Sequence, residues 1–319
     1  MITELSSEAT EYGRVAREAF AAAGGDELAP RAAEAPEQRE FLVASVLDDL
    51  GAWDLDVRGS ADDAEAAAAL CRSAGYWAIP APLAERLARP TDVGGVDIDI
   101  DGLIVVDAVS PSGPVAGLDL RWVAVDLDGR RSSASPRPDA ADARAEGFVV
   151  PLALEPLDAD GEGGHEADAA LGIVLSCWTL LGSVDRAVDV TRAHILEREQ
   201  FGQPLAAFQG VQFQLTDAEV ERLGFEELAK HALWSVSTQR PEALDDALAL
   251  RLAALEGAEI AFRVAHQLHG AIGFCDETPL SWVSRASIPL RRLPLGLSAT
   301  RAELTRRIAR RGLTGLFGD

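Results

Sequence analysis

Two short stretches of the 319-residue chain carry side chains able to do chemistry. One is "QLHGAIGF", Gln267 to Phe274: an amide, an imidazole and two glycines in a small, uncharged run. The other is "EREQFGQPLAAFQ", residues 197–209, with one arginine, Arg198, two aromatic residues, Phe201 and Phe208, and two amides, Gln203 and Gln209. An arginine suits a pyrophosphate, flat apolar rings suit a fused heterocycle and amides suit its edges, so the second stretch holds the inventory for a dinucleotide. Unhindered backbone such as that from Gly270 to Gly273 can approach a ligand and aim several N–H groups at an anion. Each stretch also has a purely structural reading. Gly270 supplies the freedom needed just past a helix end, and Arg198 is a cation in a last helical turn, where the helix dipole favours it.

Other chemistry is weaker. His266 and His269 lie three apart on one helical face, but no third ligand follows at a useful spacing, so no metal is expected. Cys71, Cys177 and Cys275 are odd in number and set in apolar surroundings, which reads as buried thiols in a reducing compartment and not a disulfide framework. Cys177 has no neighbouring base to activate it. Trp178 and Trp234 fall at helical spacing and read as core.

The elements that must position these residues divide the chain in three. Residues 1–92 read as an N-terminal helical domain, with Phe41, Val43, Val46, Leu47 and Leu50 at helical spacing. Residues 93–160 read as a small β domain: Val96, Ile98 and Ile100 alternate with aspartates before an Asp101-Gly102 turn. Val123, Val125 and Leu127 share a face before Asp128-Gly129 turns the chain. Residues 161–319 read as a four-helix bundle: a first helix through Leu171, Trp178 and Val188 to a stop at Gly202 and Pro204, a second over 208–237, a third over 241–269, and shorter segments from Leu280 and Ser298. Thr278-Pro279 has the N-cap and N1 pairing of a helix start.

Composition narrows the function. With 52 acidic against 29 basic residues the formal net charge is −23, which repels phosphate backbones and anionic membranes, so neither nucleic acid nor membrane is an expected partner. The N-terminus lacks the basic-then-apolar order of a signal peptide, and no apolar run is read as reaching the ~18–20 residues of a membrane span; a cytoplasmic protein is the expectation.

Together, and in this order, the two stretches resemble the C-terminal bundle of the acyl-CoA dehydrogenase family, whose "R-x-x-F-G-x-x-x-x-x-x-Q" corner and "Q-x-x-G-G-x-G-F" turn hold the ADP half of a neighbouring subunit's FAD. Arg198, Phe201, Gly202 and Gln209 fit the first; Gln267, Gly270, Gly273 and Phe274 fit the second, with Ala271 in place of a glycine. Glu277, Pro279 and Arg285 continue the match. The cofactor contacts this implies are Arg198, Phe201, Phe208, Gln209, Gln267, Leu268, His269, Gly270 and Ala271. The implied fold is α+β and mostly α: helical domain, small β domain, four-helix bundle.

Two departures stand beside the match. The family's catalytic glutamate would fall at Pro294 or Leu295, or at the alternative place near Gly172, and none of these accepts a proton. Asp168, Asp185 and Glu303 read as solvated helix-face charges. The segment that contacts the flavin ring, between the first helical domain and the β domain, is missing, since "AIPAPLAERLARPTDVGG" passes directly from helix to strand. The chain therefore resembles the shortened subunit of the heterotetrameric (α2β2) acyl-CoA dehydrogenases that degrade steroid side chains. That resemblance implies a partner chain bearing the base, an acyl-CoA substrate, and electron-transferring flavoprotein as acceptor. The alternatives are a self-sufficient homo-oligomer with an unconventional base and a flavin-free structural subunit.

Overall fold

The computed structural model describes residues 4–93, 100–115, 120–137, 149–157 and 164–312. The chain opens with helices α1 (Ser7–Ala23), α2 (Leu28–Glu34), α3 (Ala44–Asp49), α4 (Ala61–Tyr76) and α5 (Leu83–Leu87). Serines start the two long ones. Ser6 Oγ accepts from the Ala9 N–H at 3.2 Å and Ser60 Oγ from the Asp63 N–H at 3.1 Å, each satisfying a donor with no partner inside its helix. Phe41 does not join the core with Val43 and Leu47. It precedes the short α3 in a turn and is 80% exposed.

A five-stranded sheet follows, with β1 (Gly102–Val105), β2 (Ser112–Pro114), β3 (Trp122–Val125), β4 (Arg131–Pro136) and β5 (Val149–Pro156) in the order β1-β3-β4-β5-β2. Asp128-Gly129 does turn the chain between antiparallel β3 and β4; Gly129 has φ 77°, and Asp126 Oδ1 accepts from the N–H groups of Asp128 and Arg130, both at 2.9 Å. The expected turn at Asp101-Gly102 is absent. Gly102 is the first strand residue, opposite Trp122 in a parallel β1–β3 pair. A Cβ there would lie 2.5 Å from the Trp122 ring, which accounts for the glycine better than a turn does. Val96 and Ile98 lie outside the described residues. The sheet has two apolar faces: Leu103, Val123 and Val125 pack on the helices, while Ile104, Val106, Trp122, Ala124, Val150 and Leu152 form a separate small core.

The C-terminal part is built on three long helices, α6 (Glu166–Glu197), α7 (Gln209–Ser237) and α8 (Ala243–His269), completed by α9 (Pro279–Ala286), α10 (Ile288–Arg292) and α11 (Leu297–Arg311). By length and hydropathy α6 passes the test for a membrane span, contrary to the reading from sequence, but 83% of its apolar window is buried inside the protein. Burial on every side makes a core helix apolar all round. Trp178, at 0% exposed, is core as expected, whereas Trp234 is only half-buried, beside His231 and Arg240.

The N-terminal helices are locked to the bundle by close approach and by charge. At the crossing of α4 and α6, a Cβ on Gly182 would sit 1.8 Å from the Arg72 carbonyl oxygen and one on Gly75 1.8 Å from that of Thr179, so only glycine lets the backbones meet. Beside the crossing, Asp185 receives Arg72 (2.6 Å) and Arg222 (3.1 Å), and Arg72 and Arg222 both also hold Glu226 (2.8 and 2.9 Å). Asp168 receives Arg58 (2.6 Å) and Arg131 (2.5 Å), tying α6 to the N-terminal helices and to the sheet. Asp168 and Asp185 are thus buried, 3% and 8% exposed, and not solvated helix-face charges. Their partners come from elements distant in sequence, which a helical pattern cannot display. Glu303 is likewise largely covered, paired with Arg306.

Candidate cofactor site at the end of the bundle

The two stretches meet at one end of the bundle. Ile195 near the end of α6, Ala218 on α7, and Val264 and Leu268 on α8 form a small core, against which Leu205, Ala206, Val211 and Leu215 pack. Leu268 is therefore the buried anchor that fixes the turn against the corner. Above it, α6 ends at Glu197 and Arg198 follows as its C-cap, with extended backbone (ψ 115°), just beyond the last helical turn. A two-residue hairpin then forms from β6 (Glu199–Gln200) and β7 (Gln203–Pro204). At its tip Phe201 and Gly202 have φ 54° and 81°. That left-handed pair suits a tight hairpin, but a phenylalanine at its first position is strained. The strain holds an aromatic ring 93% exposed, edge-on to Phe208 with centroids 6.3 Å apart.

The turn after α8 is compact. Gly270 has φ 66° and its amide bonds the His266 carbonyl, closing the helix, and residues Gly270–Phe274 make one tight helical turn. Thr278 does precede Pro279 at the start of α9, but its hydroxyl turns back to the carbonyls of Ile272 (2.9 Å) and Cys275 (3.0 Å) and does not cap the helix. Cys71 and Cys177 are buried, and burial pushes the Cys177 thiol up to about 11; Cys275 is exposed in this turn, contrary to expectation, because the turn projects from the bundle end.

Two aromatic stacks support the corner and the turn. His269 stacks on His194 of α6 with centroids 4.3 Å apart and planes 14° apart, and His266 stacks on Phe274 at 4.3 Å and 16°. His269 Nδ1 lies 2.8 Å from the Ala265 carbonyl, which makes that nitrogen the donor. Both rings of the first stack are held below the ordinary imidazole value. Burial is the largest cause in each, joined for His194 by the charge of Arg198 and for His269 by its histidine neighbours, against an opposing backbone bond to Ala265. His194 escaped the sequence reading although its spacing contained the signal, being one helical turn before Arg198.

Of the expected cofactor residues, Arg198, Phe201, Gln209, Gln267, Gly270 and Ala271 are exposed, Phe208 and His269 are partly covered, and Leu268 is buried. Among the described residues Arg198 has no ion pair, and neither Gln209 nor Gln267 has a side-chain hydrogen bond. A Cβ on Gly202 or Gly270 would meet nothing within 4 Å, so the backbone is open to an approaching group at both turns. A guanidinium and two amides unengaged among the described residues, one exposed and one half-covered ring, and open glycine backbone on one end of the bundle fit a dinucleotide. Among the described residues no cluster of three or more metal-ligating side chains occurs.

The positions where a base would stand are different. Gly172 and Pro294 line one cavity of about 30 Å³ between β1, α6 and the segment before α11, room for a water or two. A Cβ on Gly172 would already lie 2.7 Å from Val105 Cγ2 and 3.2 Å from Leu103 Cδ2. Arg251, 1% exposed, closes the far side by donating to the carbonyls of Leu290 (2.8 Å) and Leu295 (3.0 Å). The carboxylate on this cavity is Glu85 of α5, which burial pushes above the ordinary range.

One helical bundle thus has an open end with unpaired polar groups and a nearly closed cleft. Residues 171–310 match the family model for the acyl-CoA dehydrogenase C-terminal domain. The probable acyl-CoA dehydrogenase YngJ of Bacillus subtilis (strain 168) is 34% identical over 116 residues, 36% of this chain and 28% of that protein. Acyl-CoA dehydrogenase FadE28 of Mycobacterium tuberculosis is 31% identical over 123 residues, 39% of this chain and 36% of that protein. The chain thus spans about a third of the length of the curated relatives it matches. Over the whole chain the fold is similar to the ChsE4-ChsE5 complex from Mycobacterium tuberculosis, with TM-score 0.74 and 16% identity over 98% of this chain and 100% of that one. It is similar also to the Tcur3481-Tcur3483 steroid ACAD, with TM-score 0.73 and 22% identity over 96% of this chain and 99% of that one. The bundle is thus similar over residues 171–310 to an acyl-CoA dehydrogenase C-terminal domain, in a chain with the acyl-CoA dehydrogenase fold.

Proposed function

We propose that this chain is the non-base-bearing subunit of an FAD-dependent, hetero-oligomeric acyl-CoA dehydrogenase, an α2β2 assembly in which a second dehydrogenase-like chain carries the catalytic glutamate and the flavin-ring pocket. The observation that carries this is the contrast within one bundle. The nucleotide end is open, with Arg198, Gln209 and Gln267 unengaged among the described residues, while the space at Gly172 and Pro294 is filled. The likeness in fold to the ChsE4-ChsE5 complex and to a steroid ACAD supports a partner chain, and extends the proposal to a steroid side chain as the acyl group. Electron-transferring flavoprotein is the acceptor the reading implies.

FAD, when bound, supplies the hydride acceptor for α,β-dehydrogenation of a CoA thioester. The residues here act on its other end. Arg198 would hold the pyrophosphate, Phe201 and Phe208 would supply apolar rings for the heterocycle, and Gln209 and Gln267 would supply amides for its polar edges. Leu268 and the His194–His269 stack hold these groups in place from below, and the open backbone at Gly270 and Ala271 lets the anion approach.

Co-expression tests the proposal. The chain with its partner should purify yellow, and Arg198→Ala with Gln267→Ala should lower bound flavin at least tenfold, the scale of two charge-assisted or buried hydrogen bonds, without moving the circular dichroism spectrum. Unchanged flavin content would assign the chain a purely structural place in the complex. A chain that is yellow and oxidises acyl-CoA alone would overturn the divided site.

A further inference from the structure

Away from the bundle end, a second cleft has chemistry of its own. It lies between the segment after α3, helix α5 and the start of the sheet, encloses about 160 Å³, and is lined by Arg58, Arg86 and Arg89 with Trp53 and Thr91. Three guanidiniums on one small cleft run against the composition of a chain with 52 acids and 29 bases. Arg58 is fixed in place: it bonds Asp168 (2.6 Å) and the carbonyls of Ala88 (2.5 Å) and Arg89 (3.1 Å). The Arg86 guanidinium sits over the Trp53 ring, 4.0 Å from its centroid, which holds it without using its N–H donors. Among the described residues neither Arg86 nor Arg89 has an ion pair. Of the two acids on the cleft, Asp101 pairs with Arg121 (3.1 Å) and also feels the charge of Arg86, and Asp56 is acceptor for the Gly59 N–H (3.0 Å).

The geometry points to a binding site for a phosphomonoester, held in the cleft by Arg86 and Arg89 with Arg58 behind them. A phosphomonoester is close to a dianion at neutral pH and offers three acceptor oxygens, which matches two unpaired guanidiniums on one cleft better than a single carboxylate does. The enclosed volume takes a phosphate and a short stub of what it is attached to. Trp53, Leu55 and Val57 make the cleft's apolar wall, which shields those short contacts from water. The long-range field of a chain with formal charge −23 repels the ligand, so binding depends on these contacts alone and should weaken with salt. The site is separate from the bundle-end corner and does not rest on the flavin proposal. The phosphoryl group can arrive as free inorganic phosphate or as the terminal 3′-phosphate of a CoA thioester.

The test titrates the purified full chain, with its partner where the two co-purify, with inorganic phosphate, CoA and dephospho-CoA at pH 7.5 and fixed chloride, reading heat and tryptophan emission. Saturable phosphate binding is expected. Arg86→Gln with Arg89→Gln should weaken it at least tenfold, the loss expected for charge-assisted bonds, with unchanged circular dichroism. Asp56→Asn keeps an acceptor for the Gly59 N–H and removes a facing charge, so it should tighten binding about threefold and does so only in a folded protein. CoA binding well ahead of dephospho-CoA assigns the site to the thioester's phosphate; equal binding of the two, with phosphate still saturable, assigns it to the free anion. No saturable binding of phosphate or CoA, or binding that the paired arginine substitutions leave unchanged, overturns the site.

Discussion

The two places in this bundle where an acyl-CoA dehydrogenase would do its work have opposite physical character. At the bundle end, glycines are open, an arginine is free of acids among the described residues, and a strained Phe201 is held out in solvent. Some 30 Å³ is all that remains around Gly172 and Pro294, where Val105 and Leu103 stand within 2.7 and 3.2 Å of where a Cβ on Gly172 would lie. Exposed, strained and unpaired groups cost stability unless something binds them, while a filled cavity gains packing energy. Keeping the first and filling the second is the pattern that the divided-site proposal requires.

The largest effect should come from the closed interior's charge network. Asp185→Ala leaves Arg72 and Arg222 sharing Glu226 alone, and breaking a buried pair from one side costs roughly 3–5 kcal/mol, read as a fall in the urea midpoint. The same network sets the acid limit. Burial alone would raise Glu226, but the hydrogen bonds and charge of Arg72, then of Arg222, outweigh it and hold its carboxyl at about 2. Its folded value is depressed, so its contribution is complete above the ordinary carboxylate value of 4.5 and is lost as pH falls from there toward 2. Acid unfolding that starts above that window with Asp185 intact would place the locking charges elsewhere.

Restoring a carboxylate at the vacant place is the next test. Gly172→Glu puts a side chain where a Cβ already meets Val105 at 2.7 Å, and overpacking together with a buried acid should cost roughly 3 kcal/mol, with no turnover of a CoA thioester by the chain alone. A stable Gly172→Glu protein that oxidises acyl-CoA unaided would erase the contrast, because it would show the cleft to be open.

How much of this was legible beforehand follows from the range of each interaction. The three long helices of the bundle and the Asp128-Gly129 hairpin were readable because periodicity and turn chemistry are local. Arg198 and the Gln267 turn were readable as a pair because their residue types and order are specific, and the apolar packing of Ile195 against Leu268 joins them in space. What escaped depends on partners far along the chain. Asp168 and Asp185 look like surface charges until Arg58, Arg72 and Arg131 arrive from elsewhere, and Gly102 looks like a turn until β1 is paired with Trp122. Phe41 fits a helical stripe, yet the helix starts three residues later.

The smallest effect belongs to the open end and separates it from the interior by pH. His194 and His269 are stacked and both are held below the ordinary imidazole value of 6.5, with burial as the leading cause, so the folded protein disfavours their protonation relative to the unfolded chain. Stability from the stack is therefore complete above about pH 6.5 and declines as pH falls below it, well before the window that governs Glu226. Facing the pair are Arg198 and Glu197 at the end of α6 and His266 on α8. His194→Gln removes one ring and one proton-binding difference. Between pH 7.5 and 5.5 its melting temperature should fall by a few degrees less than that of the unaltered chain, on the scale of 1 kcal/mol or below. Parallel curves for the two proteins would mean that the stack carries no proton linkage, and the two ends of the bundle would then differ in packing alone.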